Sequence, residues 1–596
     1  MKRVIAFALT LMLTSGAFAA PSGQAAETDK STKPKTARRS SGSSVSKDLQ
    51  ELKQAIEAQQ QQIQQLQGDL QNRDQKIQQL EQRLDQSQNA ATQAQSKADA
   101  AAAQASQQDQ TVSSLKSDVS DLKANATNVA LSLQDEQKKI GEAIESPLAL
   151  HFKGITITPG GFLAAETVWR QRALAADINS SFNSVPFNGA TQSNLSEFFA
   201  TGRQSRVTLL AEGKLKAAKI GGYFEADFLS SGTTSNNNQS NSYTLRQRQV
   251  WGQAALDSGW TFTGGQMWSL VTETRKGTDI RSEALPMTID PQYTVGFSWA
   301  RQYGFRVTKN FMNRVWFGFS VEDPQTTFTA HGNAANFVIG SLGNSGGLFN
   351  AFNGNYAFNL APDIIAKLAF EPGWGHFEVF GIASQFRDRI FPNATATTPS
   401  AAGAFNDSKT GGGVGVNMRG SFAKKHVDVG VHLLGGNGIG RYGTAGLSDA
   451  TVHPDGTLAL IRSYQGLGTL EFHYPKFDLY FNGGVEYAGR TAFLNSKGAG
   501  VGYGSPLFSN AGCSTETLPG GNGFTPGALG SCNGDTRNLQ EGTVGFWYKI
   551  YNGPKGRVQF GPQYSYVLRN TWVDLAGNRP KGTENMFFTS FRYYLP

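Results

Sequence analysis

Residues 206–229, RVTLLAEGKLKAAKIGGYFEADFL, decide the fold. Alternate positions Val207, Leu209, Ala211, Gly213 and Leu215 are apolar or small, whereas Arg206, Thr208, Glu212, Lys214 and Lys216 are polar, with Leu210 the exception. After a turn at Ala217-Ala218 the alternation resumes: Ile220, Gly222, Phe224, Ala226 and Phe228 against Lys219, Tyr223, Glu225 and Asp227. Side chains of a strand point alternately to opposite faces, so this stretch is a hairpin with one greasy face and one charged face. Each arm has about the 9–11 residues that a tilted strand needs to cross a bilayer. A soluble sandwich strand would alternate in the same way, so the decision rests on repetition along the chain.

The pattern does repeat. Val427, Val429, Val431 and Leu433 alternate with His426, Asp428 and His432, and Phe477, Leu479, Phe481 and Val485 with Asp478, Asn482 and Glu486. Seven tight connections punctuate the chain, at Ala217-Ala218, 257–259, 310–313, 372–375, 423–425, 474–476 and 552–556. They alternate with eight long polar ones, at about 173–202, 230–243, 269–295, 323–362, 387–409, 437–457, 489–540 and 569–583. That arrangement counts to sixteen strands. An even strand number with short turns on one side and long loops on the other describes an all-β transmembrane barrel over residues 150–596. Closing the sheet leaves no backbone edge exposed to lipid.

The remainder of the chain has a different composition. Residues 1–19 carry Lys2 and Arg3, an apolar run from Val4 to Leu13 and then Ala17-Phe18-Ala19, the pattern of a cleavable secretory signal peptide. Residues 20–47 are rich in Ser, Thr, Pro and Lys and read as a disordered basic linker. From Leu49 a seven-residue phase sets in, with Leu49, Ile56, Ile63 and Leu70 at a, and Leu52, Leu66 and Leu80 at d. It runs unbroken to Ile140, which predicts a long α-helical coiled coil over 48–146, roughly 140 Å in length at 1.5 Å per residue. Ile at a with Leu at d favours two strands, but Gln59, Arg73 and Gln108 occupy core positions, so the heptads leave the oligomer state open.

Charge follows the same division. The sequence has 54 basic and 46 acidic residues, and the excess of eight lies wholly after residue 150. Charge there is scattered, which excludes a nucleic-acid surface. Cys513 and Cys532, the two cysteines, are read as one loop disulfide, since a metal site would need further ligands. The seven histidines are dispersed and none lies in a G-x-S-x-G or H-E-x-x-H context. The reading is therefore not an enzyme, and it expects no cofactor and no metal. The glycine-rich GGNGIG at 435–440 lacks a phosphate-loop lysine.

Signal peptide, heptad run and barrel, together with YTVGFSWARQYGFRVTKNF at 293–311, resemble the DcaP-like porins of Gram-negative-type envelopes. The resemblance implies a homotrimer of sixteen-strand channels in the lipid bilayer of the outer membrane. Each would carry a periplasmic coil and pass small hydrophilic, anionic (carboxylate-type) solutes. The chain departs from such barrels in ending Tyr593-Tyr594-Leu595-Pro596 rather than on an aromatic. In sixteen-strand porins the third long loop narrows the lumen. Here it spans 269–295 and offers Glu273, Arg275, Lys276, Asp279, Arg281 and Glu283 as constriction residues. Arg206, Arg246, Arg248 and Arg306 are the wall candidates facing them. Rings of opposed charge set ion selectivity, and guanidinium groups take carboxylates bidentately. The competing reading is a barrel-anchored tether whose coil and basic tail bind the cell wall, peptidoglycan included.

Overall fold

A computed structural model describes residues 115–117, 119–123, 125, 126, 129, 132, 133, 149–229, 245–290, 292, 294–342, 355–395, 397–516 and 532–596. The expected signal peptide, the basic linker and most of the coiled coil lie outside them. The described residues between 115 and 133 are helical.

Sixteen antiparallel strands close into a barrel. They are β1 Ile155–Arg170, β2 Arg206–Lys214, β3 Ala218–Asp227, β4 Arg246–Leu256, β5 Trp260–Trp268 and β6 Arg301–Phe311. Next come β7 Val315–Glu322, β8 Asp363–Phe370, β9 His376–Ile390, β10 Phe405–Phe422 and β11 Val427–Asn437. The last five are β12 Arg462–His473, β13 Phe477–Ala488, β14 Thr536–Gly553, β15 Gly556–Thr571 and β16 Lys581–Tyr594. Each strand pairs with the next in the chain, and β16 returns to β1 in the register Phe162↔Tyr594 to Arg170↔Met586. Closure thus joins residues more than 400 positions apart and removes both edges of the sheet.

The barrel is built inside out, and β8 shows it most cleanly. Asp363, Ile365, Lys367 and Ala369 point into the lumen, while Ile364, Ala366, Leu368 and Phe370 point outward. Lys367 is 1% exposed and Leu368 is 55% exposed. In water this arrangement would be unstable. In lipid it is the stable one, because the solvent outside is hydrocarbon. The first hairpin conforms: Val207, Leu209 and Phe224 face outward, and Glu225 and Asp227 are buried inside. Phe305, in the middle of the outward face of β6, tests the orientation. Phe305→Arg is expected to destabilise the folded barrel by about 2–4 kcal/mol, the cost of a lipid-facing arginine near the midplane. Denaturant titration in bilayers, followed by heat modifiability on gels, would measure it, and an unchanged midpoint would refute the inside-out assignment.

Short turns close one end of the barrel and long connections the other, as the sequence reading expects. Cys513 and Cys532 form a disulfide within the connection between β13 and β14.

Candidate functional site

The connection from β5 to β6, residues 269–300 and here called loop 3, does not stay at the rim. It enters the lumen and touches strands around much of the barrel. Its backbone N–H groups find carboxylate and amide oxygens of the wall. Leu270 N–H donates to Glu322 (2.9 Å), Thr274 N–H to Glu378 (3.1 Å) and Gly277 N–H to Glu371 (2.6 Å). Farther along, Ile289 N–H donates to Gln563 (2.7 Å), Val295 N–H to Glu541 (2.7 Å) and Gly296 N–H to Glu486 (2.9 Å). In return the loop's carbonyls accept. Lys367 Nζ donates to Thr272 O (2.7 Å), Trp547 Nε1 to Met287 O (2.8 Å) and Arg592 to Ile289 O. Amide bonds distributed over this many partners suspend the loop along its length.

Apolar packing fixes the same segment. Leu270, Val271 and Ala300 join Ile365, Phe380 and Leu434 of the wall, and Ile289 and Val295 join Tyr480, Trp547 and Phe588. Each fully buried aliphatic side chain contributes about 1.5–3 kcal/mol, enough in sum to hold a long connection in place. Glycine makes the close approach possible. A Cβ on Gly484 of β13 would fall 1.6 Å from Val295 O, and one on Gly296 (φ +82°) would run into Gly466 O.

The constriction candidates separate into two groups. Arg275, Lys276, Asp279 and Arg281 are exposed at the tip of loop 3, which turns back on itself at a Thr274↔Glu283 bridge. Arg275 lies 3.7 Å from Asp428 and 3.6 Å from Glu471, and Arg281 stacks over Tyr223 at 5.1 Å. Glu273 is buried and paired with Arg419 at 2.8 Å, so it braces the loop. Glu283 is half-buried, with one carboxylate oxygen lacking a hydrogen bond.

All four wall arginines turn inward. Arg206 and Arg248 meet Glu225 (3.4 and 2.5 Å), Arg246 and Arg248 meet Asp227 (2.8 and 2.7 Å), and Arg306 donates to Trp268 O (2.5 Å). Sequence reasoning missed others. Arg301 is buried between Trp268 and Trp299, 5.3 and 4.4 Å from the ring centres. None of its guanidinium nitrogens has a hydrogen bond. Arg557 and Arg592 also reach the lumen, at inward positions of β15 and β16 that strict alternation could have flagged.

Between loop 3 and the wall lies a cavity of about 250 Å3, lined by Arg206, Arg248, Arg557 and Arg592, with Asp290 and Asp478 opposing them. Phe162, Trp268, Trp299, Trp547 and Tyr594 give it aromatic sides. Burial pushes the Asp290 carboxyl above the usual carboxylate range, although it accepts the Gln292 N–H at 3.0 Å. Acidification therefore removes the Asp290 charge earlier than that of an ordinary aspartate and leaves the cavity more positive.

No family model matches the chain, and no curated protein sequence does. Among solved structures it is similar to the outer membrane channel DcaP of Acinetobacter baumannii, with a TM-score of 0.50 at 14% identity over 74% of this chain and 99% of that one. Weaker likenesses are to OprB of Pseudomonas putida (TM-score 0.40, 12% identity, 74% and 94% covered) and to an anion-selective porin from Comamonas acidovorans (0.37, 9%, 74% and 100%). The likeness to DcaP, at 14% identity, is one of fold.

Proposed function

We propose that the barrel is an outer-membrane porin for the passive diffusion of small hydrophilic anions, carboxylates in particular. The observation that carries this reading is the cluster of inward arginines at the lumen cavity, Arg206, Arg246, Arg248, Arg301, Arg557 and Arg592, against the carboxylates Glu166, Glu225, Asp227, Asp290 and Asp478. In a narrow, poorly screened passage that imbalance raises the local concentration of anions. On this reading the short turns face the periplasm and the long connections face outward. The coiled coil extends into the periplasm and gathers three chains. Val119 and Leu122, at a and d of the heptads, are 41% and 51% exposed in the single chain, which supports self-association.

The test is the purified protein in a planar bilayer under a salt gradient. Stepwise ohmic channels with a reversal potential of the anion-selective sign are expected. Arg206→Gln/Arg557→Gln removes one cavity charge that lies 3.4 Å from Glu225 and one, Arg557, for which no ion pair is found among the described residues, and should move the reversal potential toward zero. Arg275→Ser/Lys276→Ser/Arg281→Ser should shift it less, because Arg275 faces two carboxylates and Arg281 lies on an aromatic ring. Absence of conductance in folded, heat-modifiable protein would rule out the channel. A wild-type reversal potential in the double variant would rule out the arginine cavity as the filter.

A further inference from the structure

Near the short-turn end of the lumen, the side chains of Asp428, Glu471 and His473 converge on one point. Asp428 and Glu471 are direct cross-strand partners on β11 and β12, and His473 follows Glu471 by two positions on the same face. One donor atom from each lies within 4.8 Å of the others. Asp428 Oδ2 and Glu471 Oε2 are each 3.5 Å from His473 Nε2. Donors that share an ion at bond lengths of about 2.0–2.2 Å sit roughly 3–3.5 Å apart, so the spacing fits.

Two further features point to a ligand. The Glu471 side chain is fully buried, yet neither of its oxygens has a hydrogen bond, and its nearest guanidinium nitrogens are 3.5 Å (Arg419) and 3.6 Å (Arg275) away. A buried carboxylate held only by ion pairs at this distance, with no hydrogen bond, leaves room for a closer ligand. The other two groups are held from behind. His473 Nδ1 lies 3.2 Å from Asp478, itself paired with Lys549 at 2.7 Å, and Asp428 Oδ1 accepts the Ser421 hydroxyl at 2.6 Å. A carboxylate behind the imidazole fixes Nδ1 as the N–H and turns the Nε2 lone pair toward the cluster, the usual support for a metal-bound histidine.

We propose that Asp428, Glu471 and His473 bind a divalent first-row transition-metal ion of the Zn2+ type, in competition with Arg275 of loop 3. Two carboxylates and one imidazole suit such an ion better than Ca2+ or Mg2+, which prefer all-oxygen sites. The sequence alone expects no metal, because Asp428 lies 43 and 45 residues before Glu471 and His473 and the three form no motif. His473 is 30% exposed and Arg275 42% exposed, so an ion in the lumen water can reach the site. With the ion bound, the carboxylates no longer draw Arg275, and the tip of loop 3 gains a free cation.

The experiment is metal binding by the full-length protein, stripped with chelator and titrated with Zn2+ by calorimetry, with bound metal counted by mass spectrometry. One ion per chain is expected. His473→Ala and Glu471→Gln should each weaken binding at least tenfold, and Arg275→Ser should strengthen it several-fold by removing the competing charge. Heat modifiability on gels checks folding. Should Glu471→Gln fail to fold, His473→Ala and Arg275→Ser decide the matter. Failure to bind Zn2+ below millimolar concentration, or binding that His473→Ala leaves unchanged, would show that the cluster is only an ion-pair network. Neither readout depends on conduction, so the test stands apart from the channel assignment.

Discussion

Gly484→Leu is expected to raise the single-channel conductance, on the order of twofold or more, since pore radius at the narrowest point governs flow. A leucine Cβ at this position would fall 1.6 Å from Val295 O, a distance that atoms do not tolerate. The wall strand is locked in the barrel ladder by its register with β12 and β14, so loop 3 must be the part that yields. Its departure breaks the Val295–Glu541 and Gly296–Glu486 hydrogen bonds and withdraws Val295 from its apolar cluster. The barrel itself loses no strand pairing, so the variant should remain heat-modifiable. Bilayer recordings give the conductance directly. A wild-type value in folded protein would mean that loop 3 does not limit the passage.

The largest loss of stability is expected from Glu378→Leu. The Glu378 carboxylate lies behind loop 3 on β9 and gathers Lys367 Nζ (2.9 Å), His376 Nε2 (3.0 Å), the Thr274 N–H (3.1 Å) and the Asn417 side-chain amide. Its removal strands the fully buried Lys367 ammonium, and breaking a buried pair in this way costs about 3–5 kcal/mol. The double variant Lys367→Met/Glu378→Leu should recover most of that loss, because an apolar pair of similar volume avoids the desolvation of both charges. Equilibrium unfolding of the two variants side by side provides the comparison. Equal destabilisation in single and double variants would show that the Thr274 bond, not the charge pair, dominates.

The barrel was legible because its determinants are local. Period-two alternation and the alternation of short and long connections are properties of short windows, and residues 206–229 alone display both faces of a strand pair. The lumen is a different case. Glu378 and Thr274 are 104 positions apart and meet only because loop 3 turns into the lumen and reaches β9. Arg301 is the first residue of β6, where a loop ends, and no alternating neighbour on its N-terminal side fixes its face. Glu273 looked like a constriction residue in sequence, but its partner Arg419 lies on β10, 146 positions away. Parity says which residues face the lumen. It does not say which of them the inward loop will cover.

Loop 3 hangs from the wall largely by its main chain: six of its amides reach wall oxygens, whatever side chains they carry. A suspension of that kind separates mounting from content. Substitutions at the exposed tip residues Arg275, Lys276, Asp279 and Arg281 leave these attachment points in place. The tip can therefore change by single steps while the barrel and the loop's path stay fixed, an architecture in which the chemistry presented to the lumen is evolvable at little cost to folding.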